Sequence, residues 1–587
     1  MFDVIKKLKF FFKENALQYT LSFIALGLGN LCAVLIPNIV GRMIDDIVTN
    51  VMDIQRLQFY VISFIALIIL TYLLDFSWVY GLFSGAYKLQ NQMRSKMMRH
   101  LLRMRAPYFE KFRTGDLMAR GTQDIRSLAD TAGYGMEVLM TSTVYLSILI
   151  TMMGVSVSWA LTAATILPML PMIIVFRKKG AEIDERYETA QKSFSKVNED
   201  VLEMVDGTRV IRAYVKEEDF IQKFRKQTED LYNKNNRVAK TGAVFGPTVK
   251  FFEALSVVIA LSYGAYLVAS GVLTLGNMIA FQLYLGMTIW PLIAVSELIL
   301  ILRQGSASMR RVEEILDATD GLDLRGEETI SEVEDIKFNQ FDFRYTSSES
   351  INLEKLDLDL TKGKMLGIVG KTGSGKTTLI RQLLNQYPAG TGSFEMGKHA
   401  YAHYQDPELR RMIGYVPQDH VLFSRSVREN IAFGKKEAND EEIMKSIRDA
   451  SFEEDLNKME HGLDTMIGEK GMSISGGQKQ RISIARALIK DPQILILDDS
   501  LSAVDAKTEQ NIISNIQQVR ANKTTIITTH RLSAVKQADE IIVMDNGRIA
   551  ERGTHEELIQ QKGWYYEQFL RQEVKSKEAI NEEGEVK

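Results

Sequence analysis

Eight consecutive residues carry the most definite chemistry in this chain: Gly370, Lys371, Thr372, Gly373, Ser374, Gly375, Lys376 and Thr377. They satisfy G-x-x-x-x-G-K-[ST] in full, and Thr378 follows. Glycines at this spacing let successive backbone N–H groups curl around phosphate oxygens. The lysine reaches the β- and γ-phosphates, and the threonine hydroxyl serves Mg²⁺. Three more side chains suit a nucleotide. Gln418, in GYVPQDH, can ligate Mg²⁺ through its amide oxygen or hold a water. Asp498 closes the apolar run ILIL and can hold Mg²⁺ through a water. His530 ends TTIITTH, where its imidazole can contact a γ-phosphate. Ser475, Gly476, Gly477 and Gln478 form a second small-residue turn, opening a basic helical segment where a backbone can close on a phosphate.

Elements that position these groups are legible around them. Met365–Gly370 is an apolar strand running into the glycine loop, and TLIRQLLNQY after it is helical. Phe341, Phe343 and Tyr345 alternate with Asp342 and Arg344, the period of a strand. Ile494–Leu497 is a buried strand ending in Asp498 and Asp499, which presents acids at a sheet's carboxyl edge. Asp545-Asn546-Gly547 reads as a tight hairpin. The resulting expectation is an α/β ATPase domain over 336–572, preceded by an acidic linker at 316–335 and followed by a charged, unstructured tail at 573–587.

The first half is different in kind. Across 587 residues the chain is 46% hydrophobic, yet its apolar residues concentrate in runs at 19–42, 57–86, 134–156, 158–177, 250–272 and 278–302. Each run is long enough to cross a bilayer. The expectation is an all-α membrane domain of six transmembrane helices over 19–315, which excludes a soluble enzyme. The segment 1–18, with Lys6, Lys7, Lys9 and Lys13 among Phe and Ile, reads as an amphipathic elbow helix lying on the membrane, and no A-x-A-like cleavage site follows it. Basic residues crowd the connections Lys88–Arg126 and after Arg177, and they are sparse near Asp45-Asp46, Trp159 and Ser270–Gly276. That asymmetry places both termini and the two long connections in the cytoplasm. These connections are helical in pattern, with breaks at Thr114-Gly115-Asp116 and Asp206-Gly207-Thr208. Apolar residues beside the breaks, Leu117-Met118 and Val210-Ile211, suit docking onto another domain.

Asp75, Glu253 and Glu297 are ionisable residues within spans, candidates for a substrate pathway. Pro168, Pro171 and Pro291 can kink their helices. Met136, Met140, Met152, Met153, Met169 and Met172 cluster in adjacent spans, as packing or as an adaptable surface. Cys32 is the single cysteine, so no intrachain disulfide forms. A net charge of −3 argues against nucleic acid as a partner.

On these motifs the chain resembles a half-size type IV ABC exporter over nearly its whole length. Ile474–Gln478, ISGGQ, is similar to the LSGGQ signature with Ile for Leu. Tyr345 matches the aromatic that stacks on adenine, Gln418 the Q-loop, Asp498 the Walker B acid, Ser500–Asp505 the D-loop and His530 the switch histidine. Ile467–Gly471 resembles the X-loop, and the hairpin tips near Gly115 and Gly207 the coupling helices. The resemblance implies ATP and Mg²⁺ as cofactors and a second ABC half-transporter as partner. It also implies membrane lipids around the helices, a small-molecule substrate, and a bacterial plasma membrane with the ATPase domain in the cytoplasm. In such pairs ATP lies between the glycine loop of one chain and Ser475–Gln478 of the other.

One residue departs from the pattern. The family's catalytic base after the Walker B acid is normally Glu, and here it is Asp499. Its carboxylate is drawn back by about 1 Å or more, a misplacement that can cost about 10²-fold in rate. With an intact signature, this resembles the degenerate, BmrC-type subunit of bacterial heterodimeric multidrug exporters, notably in VPQDHVLFSRSVRENI, SISGGQKQRISIARAL and ILILDDSLSAVDAKTE. Two alternatives stand beside it: a homodimeric exporter of lipid or peptide using Asp499 as base, and an ATP-gated membrane regulator or channel.

Overall fold

The computed structural model describes residues 3–319, 328–346, 348–468 and 474–585, with the side chains of the last helix described as far as 574. The chain divides into two units, Met1–Arg103 with Arg113–Ala318, and Met104–Phe112 with Thr319–Lys587.

The first unit is helical. At its start the short helices Asp3–Lys7 and Lys9–Glu14 bury Val4, Leu8 and Phe11, one face at helical spacing, and Lys7 pairs with Glu313. Five helical stretches are long and apolar enough to cross a membrane: Ala16–Val48, Ile54–Leu101, Thr114–Asp206, Glu217–Ala269 and Leu275–Asp317. The sequence led us to expect six. The difference lies in the third stretch, which runs for 93 residues. Ser158 interrupts it with an extended backbone, φ −167° and ψ 128°, and its hydroxyl accepts from the Leu161 N–H as a helix cap. The expected spans 134–156 and 158–177 meet at this break. Pro168 sits in a 3₁₀ turn at Leu167–Met169, and the last stretch changes helix at Thr288, just before Pro291. Met153, Met169 and Met172 are buried in this unit's apolar core with Leu149, Leu161 and Phe281, so these three serve packing.

The second unit is α/β. Its main sheet has the order β10-β9-β3-β8-β7-β6. The strands are β3 (Met365–Gly370), β6 (Ile413–Val416), β7 (Ile494–Asp498), β8 (Thr524–Thr528), β9 (Glu540–Asp545) and β10 (Arg548–Gly553). Pairing is parallel from β9 through β6, and β10 returns antiparallel on β9 through the expected hairpin. Side chains alternate between two cores. Ile368, Ile494, Ile496, Ile526 and Ile542 enter one. Val369, Leu495, Leu497, Ile527, Ile541 and Val543 enter the other. Both faces are covered, which is why these strands read as unbroken apolar runs. A four-stranded antiparallel sheet, β2-β1-β4-β5, completes the unit, with β1 (Ile336–Phe343), β2 (Leu353–Leu360), β4 (Thr391–Met396) and β5 (His399–Ala400). Tyr345 lies two residues past the end of β1.

One expectation is displaced. The terminal segment, expected as an unstructured tail, continues the helix Trp564–Glu585. Its Glu, Lys and Ala residues favour helix without needing a core. Within this chain the turn at Gly115 belongs to the helical unit, which runs on from Arg113. Met104–Phe112 packs within the ATPase unit instead. Pro107 opens its short helix Ala106–Lys111, the position where a missing N–H is harmless. Arg105 is buried and donates to the Asn385 carbonyl at 2.9 Å, with Asp406 at 3.7 Å, while the Tyr387 hydroxyl donates to Glu110. The second break falls where expected, with Gly207 separating Leu170–Asp206 from Thr208–Ala213 and Val210 exposed.

Candidate nucleotide site

Four adjacent parallel strands deliver the candidate groups to one sheet edge. Ile368 on β3 and Asp498 on β7 both pair with Thr528 on β8, and Val416 on β6 pairs with Leu497. Gly370, His530 and Gln418 each lie two residues beyond Ile368, Thr528 and Val416. All therefore arrive at the carboxyl edge together with Asp498, the edge where open α/β sheets hold ligands.

The glycine loop has the backbone that a phosphate cradle requires. Gly370, Gly373 and Gly375 take φ of +151°, +83° and +106°, a region that L side chains rarely adopt. A Cβ on Gly370 would also lie 2.2 Å from the Met544 carbonyl oxygen. Lys376, at the start of the helix Lys376–Leu383, is buried, and its ammonium donates to the carbonyls of Gly370 and Lys371, both at 2.9 Å. Burial lowers its pKa, while the charges of Asp499 and Asp498 oppose that shift. The Ser374 hydroxyl is buried and has no hydrogen-bond partner among the described residues.

The two acids differ sharply. Asp498 is 1% exposed. Its Oδ1 accepts from Thr528 Oγ1 at 2.6 Å and Thr377 Oγ1 at 3.4 Å, while its buried Oδ2, with the Tyr415 hydroxyl nearby, makes no hydrogen bond of good geometry among the described residues. Burial raises its pKa above the ordinary 3.8, with the Thr528 and Thr377 hydrogen bonds working against the shift. A buried carboxylate oxygen left unmade beside a threonine hydroxyl suits a cation or its bound water. These residues thus fit an Mg²⁺–nucleotide: Thr377, Asp498 and Gln418 would hold the ion. Asp499 is half-buried, and its backbone N–H donates to both the carbonyl (2.9 Å) and the hydroxyl (3.0 Å) of Thr528. Its φ is +45°, a left-handed conformation that Asp tolerates better than most residues. His530 is exposed, and its pKa lies below 6.5 because of desolvation and the nearby Lys376 charge, with Asp499 opposing. That direction favours the neutral imidazole, which can donate or accept.

Tyr345 stands over the start of the loop helix. Its hydroxyl donates to Thr378 Oγ1 at 3.2 Å, and its ring meets Tyr387 edge-on at 4.9 Å. Sequence reading missed Arg381, which donates to the Tyr345 hydroxyl at 3.3 Å and lies 5.9 Å from both tyrosine rings. It also missed Thr528, which anchors both acids. Arg381 follows Thr378 at i, i+3 on one helix, a spacing that could have found it. Ser475 caps the helix Gly476–Leu488 in a reciprocal capping box with Gln478, so the turn presents a helix N-terminus of small residues. Among the described residues no hydrogen bond or ion pair joins Ser475–Gln478 to Gly370–Thr378. Glu469–Gly471 of the X-loop lie outside the described residues.

The three candidate acids of the spans lie on three different helices. Asp75 accepts from Trp78 Nε1 at 2.8 Å, and Glu297 accepts from the Tyr134 hydroxyl at 2.8 Å. Glu253 lies on a third helix, Phe245–Ala269. Among the described residues no hydrogen bond or ion pair joins any two of them.

Comparison with known proteins fits this architecture. A family model described as the ABC transporter transmembrane region matches residues 19–292, and one described as ABC transporter matches residues 353–502. A Bacillus subtilis (strain 168) protein described as a probable multidrug resistance ABC transporter ATP-binding/permease protein, YheI, is 48% identical over 575 residues, 98% of each chain. The chain belongs to the ABC transporter family. The transporter is also 36% identical over 540 residues to the multidrug resistance-like ATP-binding protein MdlA of Escherichia coli (strain K12), 92% of each chain. It is 30% identical to an ATP-dependent lipid A-core flippase of Idiomarina loihiensis, over 82% of this chain and 83% of that one. Its fold is shared with a bacterial Atm1-family ABC exporter solved with ATP bound, at TM-score 0.81 and 23% identity, covering 96% of this chain and 99% of that one. The transporter is thus a half-size ABC exporter that couples ATP hydrolysis to transport across the plasma membrane, with its ATPase domain in the cytoplasm.

Proposed function

We propose that this transporter is one half of a heterodimeric exporter of drugs or similar amphipathic compounds, and that the ATP site on its own glycine loop hydrolyses slowly. In this reading the polypeptide crosses the membrane six times, with Ser158 at the turn between the third and fourth crossings. ATP is held by Gly370–Thr378 and Tyr345, Mg²⁺ by Thr377, Gln418 and Asp498, and the γ-phosphate is met by His530. Ser475–Gln478 completes the partner's site, where a glutamate base does most of the hydrolysis. The helices around Ala106 and Val210 carry movement between ATPase and membrane helices.

One observation carries the weak-site reading. Asp499 is one methylene shorter than glutamate, and its backbone is pinned by two hydrogen bonds to Thr528. The main chain has no slack with which to advance the carboxylate. A general base must come within hydrogen-bond reach of the attacking water, and this one is held back. Drug export is supported by the names of the 48% and 36% identical relatives. A homodimeric lipid exporter is the second reading, favoured by the flippase relative. Purification of the chain alone separates them: slow ATP turnover is expected, and rapid vanadate-sensitive turnover by a homodimer overturns the heterodimer.

A further inference from the structure

Beyond the nucleotide-binding loops, one side chain reaches the switch turn from the far end of the sequence. In the helix Trp564–Glu585, Tyr565 is fully buried, Phe569 packs on the same core, and Gln572 follows at the same helical spacing, i, i+4, i+7. This places the Gln572 amide on the turn that carries His530. Its Nε2 donates to the His530 carbonyl at 2.8 Å, and its Oε1 accepts from the Leu532 N–H at 2.9 Å. Leu532 opens the 3₁₀ turn Leu532–Val535, so its N–H has no acceptor within that turn. One amide thus satisfies a donor and an acceptor two residues apart, as a paired strand would. Its helix is anchored at the other end, where Tyr565 is hydrogen-bonded to His555 Nδ1 at 2.9 Å.

We infer that Gln572 is a positioning residue for His530: the C-terminal helix fixes the switch turn through this two-point clamp, and so sets how well the imidazole meets a γ-phosphate. The inference rests on His530 as the γ-phosphate contact. ADP lacks that phosphate, so the clamp governs discrimination between ATP and ADP and leaves ADP binding alone. Q572E separates the two contacts, because an ionised carboxylate still accepts from the Leu532 N–H but cannot donate to the His530 carbonyl.

The test uses the full-length purified chain, with ATP and ADP each competing against the fluorescent nucleotide TNP-ADP, in the parent, Q572A, Q572E and H530A. ADP affinity is expected to stay within about twofold in all four. The ATP-over-ADP preference is expected to fall about tenfold in Q572A, a factor in keeping with two modest net hydrogen bonds, and to fall in Q572E and H530A as well. Deuterium exchange at the Leu532 amide is expected to quicken in Q572A and to stay slow in Q572E. If H530A loses the preference while Q572A keeps it, the clamp is overturned and His530 retains its role. An equal loss of ADP and ATP affinity in Q572A also overturns it, as the mark of a folding defect. If H530A itself keeps the preference, the γ-phosphate reading of His530 fails and the clamp's role falls with it.

Discussion

Replacing Asp499 by glutamate lengthens the side chain by one carbon–carbon bond, about 1.5 Å. The main chain does not absorb that change, because the Asp499 N–H is held at 2.9 Å and 3.0 Å by the carbonyl and hydroxyl of Thr528. The extra reach is therefore delivered to the carboxylate. A displacement of about 1 Å at a reacting group is worth about 10²-fold, or about 2.7 kcal/mol of barrier. Glutamate is less suited than aspartate to the left-handed φ of +45° at this position, at a cost of about 1 kcal/mol. That cost falls on stability and leaves the rate gain largely intact. The expected outcome of Asp499→Glu is a rise of up to about 100-fold in turnover at this chain's own site. The assay is Mg²⁺-dependent ATPase of the full-length chain, alone and paired with a partner whose own catalytic glutamate is replaced by Gln. Asp499→Asn in the same pair is expected to change turnover only a few-fold. No gain from glutamate, or a hundredfold loss from asparagine, would refute the reasoning, because either result means that aspartate is already in working position.

Other expectations follow from the same geometry. Asp498 has a pKa raised by burial, so the folded state binds its proton more tightly than the unfolded chain does. The stability linked to that proton is present at pH below 3.8 and is lost as pH rises through the raised value. Asp498→Asn removes this liability and is expected to stabilise the ATPase unit by about 1 kcal/mol, read as a higher Tm, while Mg²⁺-dependent turnover is lost; a lower Tm contradicts the burial argument. Tyr345→Ala is expected to weaken ATP binding about tenfold, in line with loss of one base-stacking contact, and Tyr345→Phe to keep it; equal losses would assign the effect to the Thr378 and Arg381 contacts instead. Gly477→Asp sets a Cβ 3.1 Å from the Ala503 carbonyl oxygen and adds a negative charge at a helix N-terminus. It is expected to leave ATP binding at this chain's own glycine loop unchanged and to cut turnover of the pair more than 100-fold, measured on the co-purified complex; normal turnover would remove Ser475–Gln478 from the partner's site.

Local patterns carried much of this architecture. The glycine loop, the strand ending in Asp498 and the hairpin at Asp545–Gly547 are each specified by adjacent residues, and they fold as read. What escaped depends on long-range contact. Thr528 anchors both acids from a neighbouring strand, and nothing in TTIITT distinguishes it from its neighbouring threonines before the β7–β8 register is known. Arg105 and Glu110 look like ordinary cytoplasmic charges in sequence, but one is buried against Asn385 and Asp406 and the other is bonded to Tyr387. Glycine marks turns and so points to Gly115 as a docking tip, whereas Pro107 marks the start of the segment that packs within the ATPase unit. The membrane count turned on a single capping serine. Ser158 interrupts a run that is otherwise helical in composition.

The two halves of this chain's ATP machinery are mechanically joined even though they serve different nucleotides in the proposed pair. Gln480, fully buried on the signature helix, accepts from the Ala503 N–H at 3.2 Å, which ties that helix to the D-loop. Arg531 donates from the switch turn to the D-loop carbonyls of Ser502 (3.0 Å) and Val504 (2.9 Å) and pairs with buried Glu509 at 2.8 Å. Signature, D-loop and switch turn are therefore braced by contacts that do not include the Asp499 carboxylate. Shortening the base leaves this bracing intact, because Asp499 contributes to it only through its backbone. A chain can then lose hydrolytic competence at its own glycine loop and still present a well-ordered signature to a partner. In the proposed pair, that separation would let this chain carry an aspartate while the partner's site keeps a glutamate.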